Sequence, residues 1–438
     1  MDENEPLINI FNYFQKLRGL SKFLWYNMNR KIKNLFIMLK AYKYRIYPNQ
    51  TQTILLNKHF GCNRFVFNWG LDKKIKAYKQ EERTVSCFQL MKELTQLKKQ
   101  EEFIWLKEVD SQSLQQSLNC LDKAYTNFFR DKKGFPKFKS KHHNRQSYQI
   151  PQRVKVDWGS KKIQIPKIGK LDMKISRKFE GDIRTTTVSK TPTGKFFVSI
   201  LVDNGEELPN KPKLNKTKSV GVDLGIKEFA ITSNGEKFEN PKHLKGELKR
   251  LKVLQKRASK KVKGSNNRKK ANLKVAILHE KIANRRSDFL HKLSTKLVRE
   301  NQTICLETLN VKNMTKNHKL AQSIQDCSWS KFMEMIEYKS EWYGTNILRI
   351  GQFEPSSKMC NCCGYINRDL ELKDRMWKCP ECNSELDRDI NASKNILDFS
   401  YNSVNLVHSK EIFRDGQSRR ACGAVAVRQS DEARISRL

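Results

Sequence analysis

Residues 219–241, SVGVDLGIKEFAITSNGEKFENP, predict the beginning of a sheet. The stretch contains an apolar strand that ends at Asp223, a glycine turn, a second strand EFAIT, and an Asn-Gly hairpin turn at 234–235. An aspartate inside VGVDLG is costly to bury without a partner. Asp223 is therefore either a turn-forming residue at a strand end or one member of a functional site.

Two later segments present carboxylates in comparable positions. In QTICLETLNV (302–311) an apolar strand leads to Glu307, and in LDRDINASKNIL (386–397) Asp389 lies at the start of an amphipathic helix. Taken alone, Glu307 is a surface carboxylate at a strand end and Asp389 is an N-cap. Taken together, two parallel strand ends and a helix start that meet at one end of a sheet predict an α/β, RNase H-like arrangement.

Three converging carboxylates suit the hydrolysis of a phosphodiester. That reaction uses two divalent cations roughly 4 Å apart, one for the nucleophilic water and one for the leaving oxygen. Mg²⁺ and Mn²⁺ prefer carboxylate oxygens. Asp223, Glu307 and Asp389 are therefore the candidate catalytic residues and the candidate ligands of two such ions, and the sequence has no motif for a histidine or cysteine nucleophile.

Residues 360–382, CNCCGYINRDLELKDRMWKCPEC, predict a zinc ribbon. Two CxxC pairs, Cys360 with Cys363 and Cys379 with Cys382, match the spacing of a closed tetrahedral site, so the zinc would be structural. Cys362 fits neither pair. Trp377 either contacts nucleic acid or packs beside the metal. The remaining cysteines are scattered singly, which suits a reducing compartment: Cys62, Cys87, Cys120, Cys305, Cys327 and Cys422.

The charge of the chain indicates a polyanionic partner. Its 438 residues carry a formal net charge of +40. Residues 241–300 contain 20 Lys and Arg but 4 Asp and Glu, so ion pairs within the two helices predicted at 243–262 and 268–300 cannot neutralise them. A groove for nucleic-acid phosphates explains this better than a solvated face. In the basic-aromatic segment (132–150), Phe135, Phe138 and Tyr148 alternate with cations and are candidates for base stacking.

The N-terminal half predicts all-β and helical parts. A strand at 39–47, helical patterns over 50–130 and strands over 150–203 predict a small β-barrel with an inserted helical bundle. Residues 1–37 are basic and amphipathic in their later part, which allows contact with a membrane surface, but an extension before a domain that opens at Met38 is the simpler interpretation. Translation starts at either Met1 or Met38. No apolar run is long enough for a membrane helix.

The chain from Met38 to about Leu397 resembles the OrfB/TnpB proteins of insertion sequences, small relatives of type V CRISPR effector nucleases. The motifs that carry the resemblance are YKYRIYPN, GCNRFVFNW, GFPKFKSK, GVDLGIKEFAI, LETLNVKNMTKNHKLAQSI, WSKFMEMIEYKSEWYG, PSSKMCNCCG, WKCPEC and DRDINASKNIL. The resemblance implies a RuvC nuclease domain interrupted by the ribbon, and RNA-guided cleavage of DNA. It matches Asp223, Glu307 and Asp389 to the catalytic acids; Asp387 is the nearest competitor, but the third acid precedes the asparagine, here Asn391, by two positions.

The resemblance also implies a transposon-encoded protein whose guide RNA comes from the end of the element. Two alternatives to a nuclease remain: a non-catalytic regulator of transposition that binds nucleic acid, and a strand-transferring transposase. A prokaryotic, nucleoid-associated cytoplasmic location and a monomer are expected. The predicted domains are an extension (1–37), a barrel with the helical insertion (38–203), a linker (204–218), the first nuclease part with the basic helical pair (219–355), the ribbon (356–386), a final nuclease helix (387–399) and a variable, disordered tail (400–438).

Overall fold

The computed structural model describes residues 37–141, 146–352, 354–371 and 373–415. The predicted extension before residue 37 and the end of the predicted tail, 416–438, lie outside these residues. The chain divides into two compact units. Unit 1 contains the described residues up to 208 together with Lys249–Ala283, and unit 2 contains Pro209–Leu248 together with the described residues from 284 onward. Within the described ranges, no helix combines the length and apolarity that crossing a bilayer requires.

Unit 1 contains a seven-stranded antiparallel sheet with the order β2-β6-β7-β1-β5-β4-β3. Its strands are β1 (Ile37–Tyr47), β2 (Gln146–Ile150), β3 (Lys155–Asp157), β4 (Lys162–Ile165), β5 (Gly169–Lys174), β6 (Asp182–Lys190) and β7 (Phe196–Glu207). The last of these extends into the linker predicted at 204–218.

The prediction of a closed β-barrel is wrong, because β2 and β3 are opposite edge strands of this sheet. Only residues 151–154 connect them, so the two edges can be at most about 18 Å apart. A flat sheet of seven strands would be about 29 Å wide. The sheet is therefore strongly curled but is left open between its edges.

Helices occupy the stretch between β1 and β2, as the pattern over 50–130 predicts. They are α1 (Gln50–Glu81), α2 (Cys87–Leu97), a 3₁₀ helix (Glu101–Glu108) and α3 (Ser111–Arg130). Asn49, Ser86 and Asp110 cap the N-termini of α1, α2 and α3 through their side chains. Leu56 and Phe60 of α1 belong to the core of the sheet, so this helix joins the helical core to the strands.

The basic-aromatic segment divides into an exposed part and a buried part. Phe138 is 57% exposed and Phe135 is 44% exposed, so both remain available for base stacking. Tyr148 is 4% exposed in β2 and stacks on His59 with the ring centroids 5.2 Å apart. The expectation that Tyr148 stacks on bases is therefore wrong, because alternation along β2 turns it into the core. Residues 142–145 of this segment lie outside the described residues.

Unit 2 is built on a five-stranded mixed sheet with the order β10-β9-β8-β11-β12. Its strands are β8 (Ser219–Asp223), β9 (Glu228–Thr232), β10 (Lys237–Glu239), β11 (Thr303–Glu307) and β12 (Asn346–Ile350). β8, β9 and β10 are antiparallel neighbours, whereas β11 is parallel to both β8 and β12. The strands predicted around residues 219–232 and at 303–307 are thus present, and the two that end in carboxylates lie side by side.

Helices cover both faces of this sheet. The second half of the chain contributes α4 (His243–Ser259), α5 (Asn266–Glu300), α6 (Val311–Met314), α7 (Ala321–Cys327), α8 (Trp329–Tyr343) and α9 (Arg388–Asp415). On one face, Val222 and Leu306 pack with residues of α5 and α8 such as Leu290 and Phe332. On the other face, Cys305 packs against Ile396 of α9. The central strands are therefore buried on both sides, which explains their continuous apolar runs.

α9 lies directly along β8. Ser219 is hydrogen-bonded to Tyr401, with the two hydroxyl oxygens 2.7 Å apart, and a Cβ added to Gly221 would lie 2.0 Å from the carbonyl oxygen of Ser393. The same Cβ would lie 3.0 Å from the backbone nitrogen of Leu397, four residues before Tyr401. Four residues of helix rise about 6 Å, close to the roughly 6.7 Å that two residues of strand advance. The helix continues to Asp415, so the prediction that the chain is disordered from residue 400 is wrong for 400–415.

We predict that Gly221→Ala destabilises unit 2 by about 3 kcal/mol, the upper end of the usual cost of overpacking, because the clash is with backbone atoms that cannot rotate away. The measurement is the midpoint of urea unfolding followed by circular dichroism. Gly246→Ala is the matched control, since that glycine lies in α4 with open space around its Cβ position. The control is expected to gain roughly 1 kcal/mol from helix propensity. A Gly221→Ala variant as stable as the wild type would contradict the close packing.

Candidate active site and metal centre

Asp223 and Glu307 lie at the same end of neighbouring parallel strands. The register pairs Val222 with Leu306, so the following residues of the two strands, Asp223 and Glu307, lie beside each other. Residues that face each other in this way point to the same side of a sheet. Gly221 and Cys305, two positions earlier, face α9, and by alternation the two carboxylates do so as well.

The environment of Asp223 raises its pKa from the ordinary value of 3.8 to about 7. Removal from water is the main cause, and the negative charges of Glu307 and Asp389 add to it, while Arg388 opposes it. Asp223 is therefore close enough to both of the other predicted carboxylates to be affected by their charges. Such a cluster is costly for a protein on its own and is a suitable environment for a divalent cation.

Asp389 is the second residue of α9 and is held by two arginines. Its Oδ2 accepts a bond of 2.7 Å from Nη1 of Arg375 on the ribbon, and its Oδ1 accepts one of 3.1 Å from Nη2 of Arg388. Neither arginine was predicted from the sequence as part of the site. Arg388 could have been found from its position between the two acids of DRD, but Arg375 has no local pattern that marks it.

Asp387, the nearest competitor of Asp389, has a different task. Its Oδ1 accepts hydrogen bonds from the backbone N–H groups of Asp389 (3.0 Å) and Ile390 (3.1 Å), which makes it the N-cap of α9. Its other oxygen is paired with Lys237. The interpretation of Asp389 as an N-cap is therefore wrong, because the residue two positions earlier caps the helix and leaves Asp389 in the first turn.

The three carboxylates are not drawn together as tightly as the cysteines of the ribbon. Among the described residues, only the four thiols form a group of three or more His, Cys, Asp or Glu donor atoms that all lie within 4.8 Å of one another. The carboxylates of Asp389 and Glu307 are each bound to protein groups, the former to arginines and the latter to the hydroxyl of Ser356.

The thiols of Cys360, Cys363, Cys379 and Cys382 match a tetrahedral metal site. Sγ of Cys360 lies 3.7 Å from Sγ of Cys382, and Sγ of Cys363 lies 3.5 Å from Sγ of Cys379. A tetrahedron with zinc–sulfur bonds of 2.3 Å has edges of about 3.8 Å. The donor set and its spacing therefore fit Zn²⁺.

Two turns of the same design present these thiols. In each, the carbonyl of the first cysteine accepts a bond of 2.9 Å from the residue four positions later, Gly364 after Cys360 and Asn383 after Cys379. Both of these residues have positive φ, +81° for the glycine and +57° for the asparagine, which are residue types that tolerate this conformation. The repeated turn explains why each CxxC pair converges.

Cys362 and Trp377 of the ribbon lie on opposite sides of the distinction between exposed and buried residues. Cys362 is exposed and is not part of the four-thiol group. Trp377 is 8% exposed in β13 (Met376–Lys378), which pairs with β14 (Glu385–Asp387), and it packs beside Cys360 and Cys379. Of the two alternatives for this tryptophan, packing beside the metal site is the observed one.

A buried carboxylate anchors the basic helical pair. Asp326 of α7, 9% exposed, accepts a bond of 3.0 Å from the backbone N–H of Leu244 at the start of α4 and one of 2.6 Å from Nη2 of Arg286 on α5. A negative charge at a helix N-terminus is favourable. The base of the predicted nucleic-acid groove is therefore fixed to the sheet of unit 2, and sequence reasoning missed this residue.

Three family profiles match the chain. One, OrfB_IS605, described as "Probable transposase", covers 199–318. The others are a "Cas12f1-like, TNB domain" over 329–396 and a "Helix-turn-helix domain" over 38–83, a segment that in this structure contains β1 and the single long helix α1.

Relatives match over most of the chain. A protein from Streptomyces pristinaespiralis named "Putative RNA-guided DNA endonuclease" is 43% identical over 82% of this chain and 88% of its own length. The chain belongs to the OrfB/TnpB family. A second OrfB/TnpB relative, "Putative RNA-guided DNA endonuclease InsQ" of Escherichia coli (strain K12), is 32% identical over 82% of this chain and 92% of its own.

Among solved structures, a Cas12f1–sgRNA–target DNA complex aligns with 82% of this chain and 99% of its own, at 15% identity and a TM-score of 0.46.

We predict that the purified chain holds one zinc ion and that Cys379→Ser loses it, because a structural site needs all four thiolates. The metal content is measured by mass spectrometry of the acid-digested protein. Cys362→Ser is the matched control and is expected to keep the metal, since its thiol is outside the group. Stoichiometric zinc in the Cys379 variant, or its loss from the Cys362 variant, would refute the ligand set.

Asp223→Asn is expected to stabilise the magnesium-free protein at pH 8 but much less at pH 5. Because its folded pKa of about 7 exceeds the unfolded value of 3.8, the folded chain keeps a proton that the unfolded chain releases between these values. Stability therefore falls as pH rises through that window, by up to about 1.4 kcal/mol for each pKa unit. An amide does not titrate and escapes this loss.

The measurement for this substitution is the melting temperature of both proteins from pH 5 to pH 8. The gap should widen with pH and narrow again when magnesium is added, since the cation favours the ionised carboxylate. A gap that is independent of pH would show that Asp223 is not the repelled group.

Proposed function

We propose that this OrfB/TnpB protein is an RNA-guided DNA endonuclease encoded by a transposable element. The observation that carries the proposal is the convergence of Asp223, Glu307 and Asp389, which come from two parallel strand ends and the first turn of a helix. The names of the two relatives support the same activity.

The three carboxylates would hold Mg²⁺ or Mn²⁺. Burial and the nearby charges of Glu307 and Asp389 raise the pKa of Asp223, and this cost and the hard oxygen donors both fit such ions. When bound, a pair of these ions supplies charge stabilisation for the attacking and leaving oxygens of the phosphate. Arg375 and Arg388 hold Asp389 by charge-assisted bonds and would keep its carboxylate oriented until a cation competes for it.

The remaining parts of the chain bind and position nucleic acid. The exposed cations of α4 and α5 would contact the phosphates of a guide–target duplex, and Asp326 fixes the base of that helical pair. Exposed Phe135 and Phe138 would stack on unpaired bases. Base pairing with the guide RNA, rather than contacts to base edges, would supply most of the sequence specificity.

The domain layout follows from these roles. Residues 38–207 would form a recognition part built on the curled sheet and its inserted helices, followed by a linker at 208–218, since β7 extends to Glu207. Residues 219–355 and the helix from 387 would form a RuvC-like nuclease interrupted by a structural zinc ribbon at 356–386.

A strand-transferring transposase is the second candidate, because the matching family profile carries the description "Probable transposase". It would need to join a 3′-hydroxyl of the element to new DNA. Incubation of the protein with labelled element ends detects such a product directly. Hydrolysis without joined products would favour the endonuclease.

We predict that Asp389→Asn abolishes cleavage while Asp387→Asn retains it. The protein is purified from cells that carry its native element, the bound RNA is sequenced, and matching DNA is supplied with magnesium. Loss of a catalytic carboxylate should lower the rate by about 10³-fold or more. Asparagine is an equally good N-cap, so the substitution at Asp387 should preserve α9.

The outcome of this pair of variants also separates the endonuclease from a non-catalytic regulator. Binding of the matching DNA by the Asp389 variant should remain close to that of the wild type, as measured by gel shift. If the wild type binds RNA and DNA but never cuts, the regulator is favoured. If Asp387→Asn is the inactive variant, the third acid has been misassigned.

A further inference from the structure

Glu307 is held by a serine that comes from the ribbon. Ser356, only 6% exposed, donates a hydrogen bond of 2.6 Å from its Oγ to Oε1 of Glu307. This length is typical of a hydroxyl bound to an ionised carboxylate, which is about twice as strong as a neutral pair. The bond therefore limits rotation of a carboxylate that otherwise sits at the free end of β11.

Two buried asparagines of α9 hold the backbone around Ser356. Nδ2 of Asn395, which is 0% exposed, donates to the carbonyl oxygens of Ser356 (2.7 Å) and Met359 (2.6 Å). Nδ2 of Asn391, 1% exposed, also donates to Met359, at 2.6 Å. These amides bind main-chain oxygens, so they fix the path of the chain rather than a particular side chain.

A third amide closes the network at the metal site of the ribbon. Asn361 follows the zinc ligand Cys360, and its backbone N–H donates to Oδ1 of Asn391 at 2.9 Å. Its Nδ2 donates to Oδ1 of Asn395 at 3.0 Å and to Oδ2 of Asp398 at 2.9 Å. The oxygen and nitrogen of both α9 asparagines are thereby used within one connected set.

A buried network of this kind has an energetic meaning. A buried amide costs free energy unless its N–H and C=O groups are hydrogen-bonded. Apolar side chains would attach the ribbon to α9 without this requirement. A fully hydrogen-bonded network instead allows only one arrangement of the ribbon against α9. Here it fixes the ribbon base (residues 356–361) against the helix that carries Asp389 and, through Ser356, against Glu307.

We propose that Ser356 is a positioning residue for Glu307, and that the amides of Asn361, Asn391 and Asn395 transmit the fold of the ribbon base to that carboxylate. The ribbon's metal would then set the affinity of the catalytic carboxylates for their cations without touching the substrate. This inference rests on the proposed function, because it assumes that Glu307 binds the catalytic ions.

The first test measures binding of Mn²⁺ to the full-length chain without nucleic acid by titration calorimetry. Ser356→Ala is expected to keep one zinc ion and a melting temperature close to that of the wild type. Its affinity for Mn²⁺ should fall by about 10–100-fold, the usual effect of removing a group that orients a metal ligand. Ser356→Thr keeps the hydroxyl and should recover most of the affinity, which a loss of packing alone would not allow.

The second test is a double-mutant cycle with Asn361→Ala, which leaves all four thiols in place. If both residues act through one path, Ser356→Ala combined with Asn361→Ala should bind Mn²⁺ no more weakly than Ser356→Ala alone. Cys362→Ser, a neighbouring change outside the network, is the matched control. Additive losses would mean separate roles and would overturn the proposed coupling.

The controls separate failure of this inference from failure of the proposed function. Asp389→Asn, which should lose both Mn²⁺ binding and DNA cleavage, is the reference variant. Against that reference, an affinity for Mn²⁺ in Ser356→Ala equal to that of the wild type overturns the positioning role. If the wild type neither binds Mn²⁺ nor cuts guide-matched DNA, the nuclease assignment fails and this inference fails with it. In assembled complexes, the magnesium concentration for half-maximal cleavage should rise in Ser356→Ala by a similar factor.

Discussion

The close approach of α9 to β8 at Gly221 is the constraint on which the candidate site depends. With hydrogen in place of a side chain, the strand accepts the carbonyl of Ser393 where any Cβ would clash. The helix can then run along the strand, with Tyr401 beside Ser219 and with Asp389 of its first turn near Asp223. A larger residue would lift the helix and separate carboxylates that lie 166 positions apart in the chain.

This packing creates an electrostatic cost that the rest of unit 2 offsets only in part. Three carboxylates meet where water is largely removed, and the pKa of Asp223 rises to about 7 as a result. The arginines on Asp389 and the hydroxyl on Glu307 reduce the repulsion, but neither bonds to Asp223. A cation that enters such a site relieves the repulsion. The empty protein is therefore less stable, and its affinity for the cation is higher.

Features set by residues close together in the chain could be predicted from the sequence, whereas features set by contacts between distant elements could not. The four thiols converge through two short turns, and Asp223 and Glu307 follow from strands that must end at one edge, so motif spacing was sufficient. Sheet closure, the burial of Tyr148 and the continuation of α9 past residue 400 depend on distant pairings. Arg375 and Ser356 were missed because their partners lie in other elements, which no local pattern records.

The ribbon illustrates how a small insertion becomes part of such a site. Among its described residues, the buried cluster consists of Cys360, Leu370, Trp377 and Cys379, and Tyr365, Cys382 and Leu386 pack against it. A core of this size is small for a segment that folds without a metal. A zinc ion on the four thiols would also hold the ribbon base, because the first ligand is only four residues from Ser356. On the proposed function, a structural metal would help to orient Glu307 without taking part in the reaction. Insertion of the ribbon immediately before α9 brings Ser356 to Glu307 and Arg375 to Asp389.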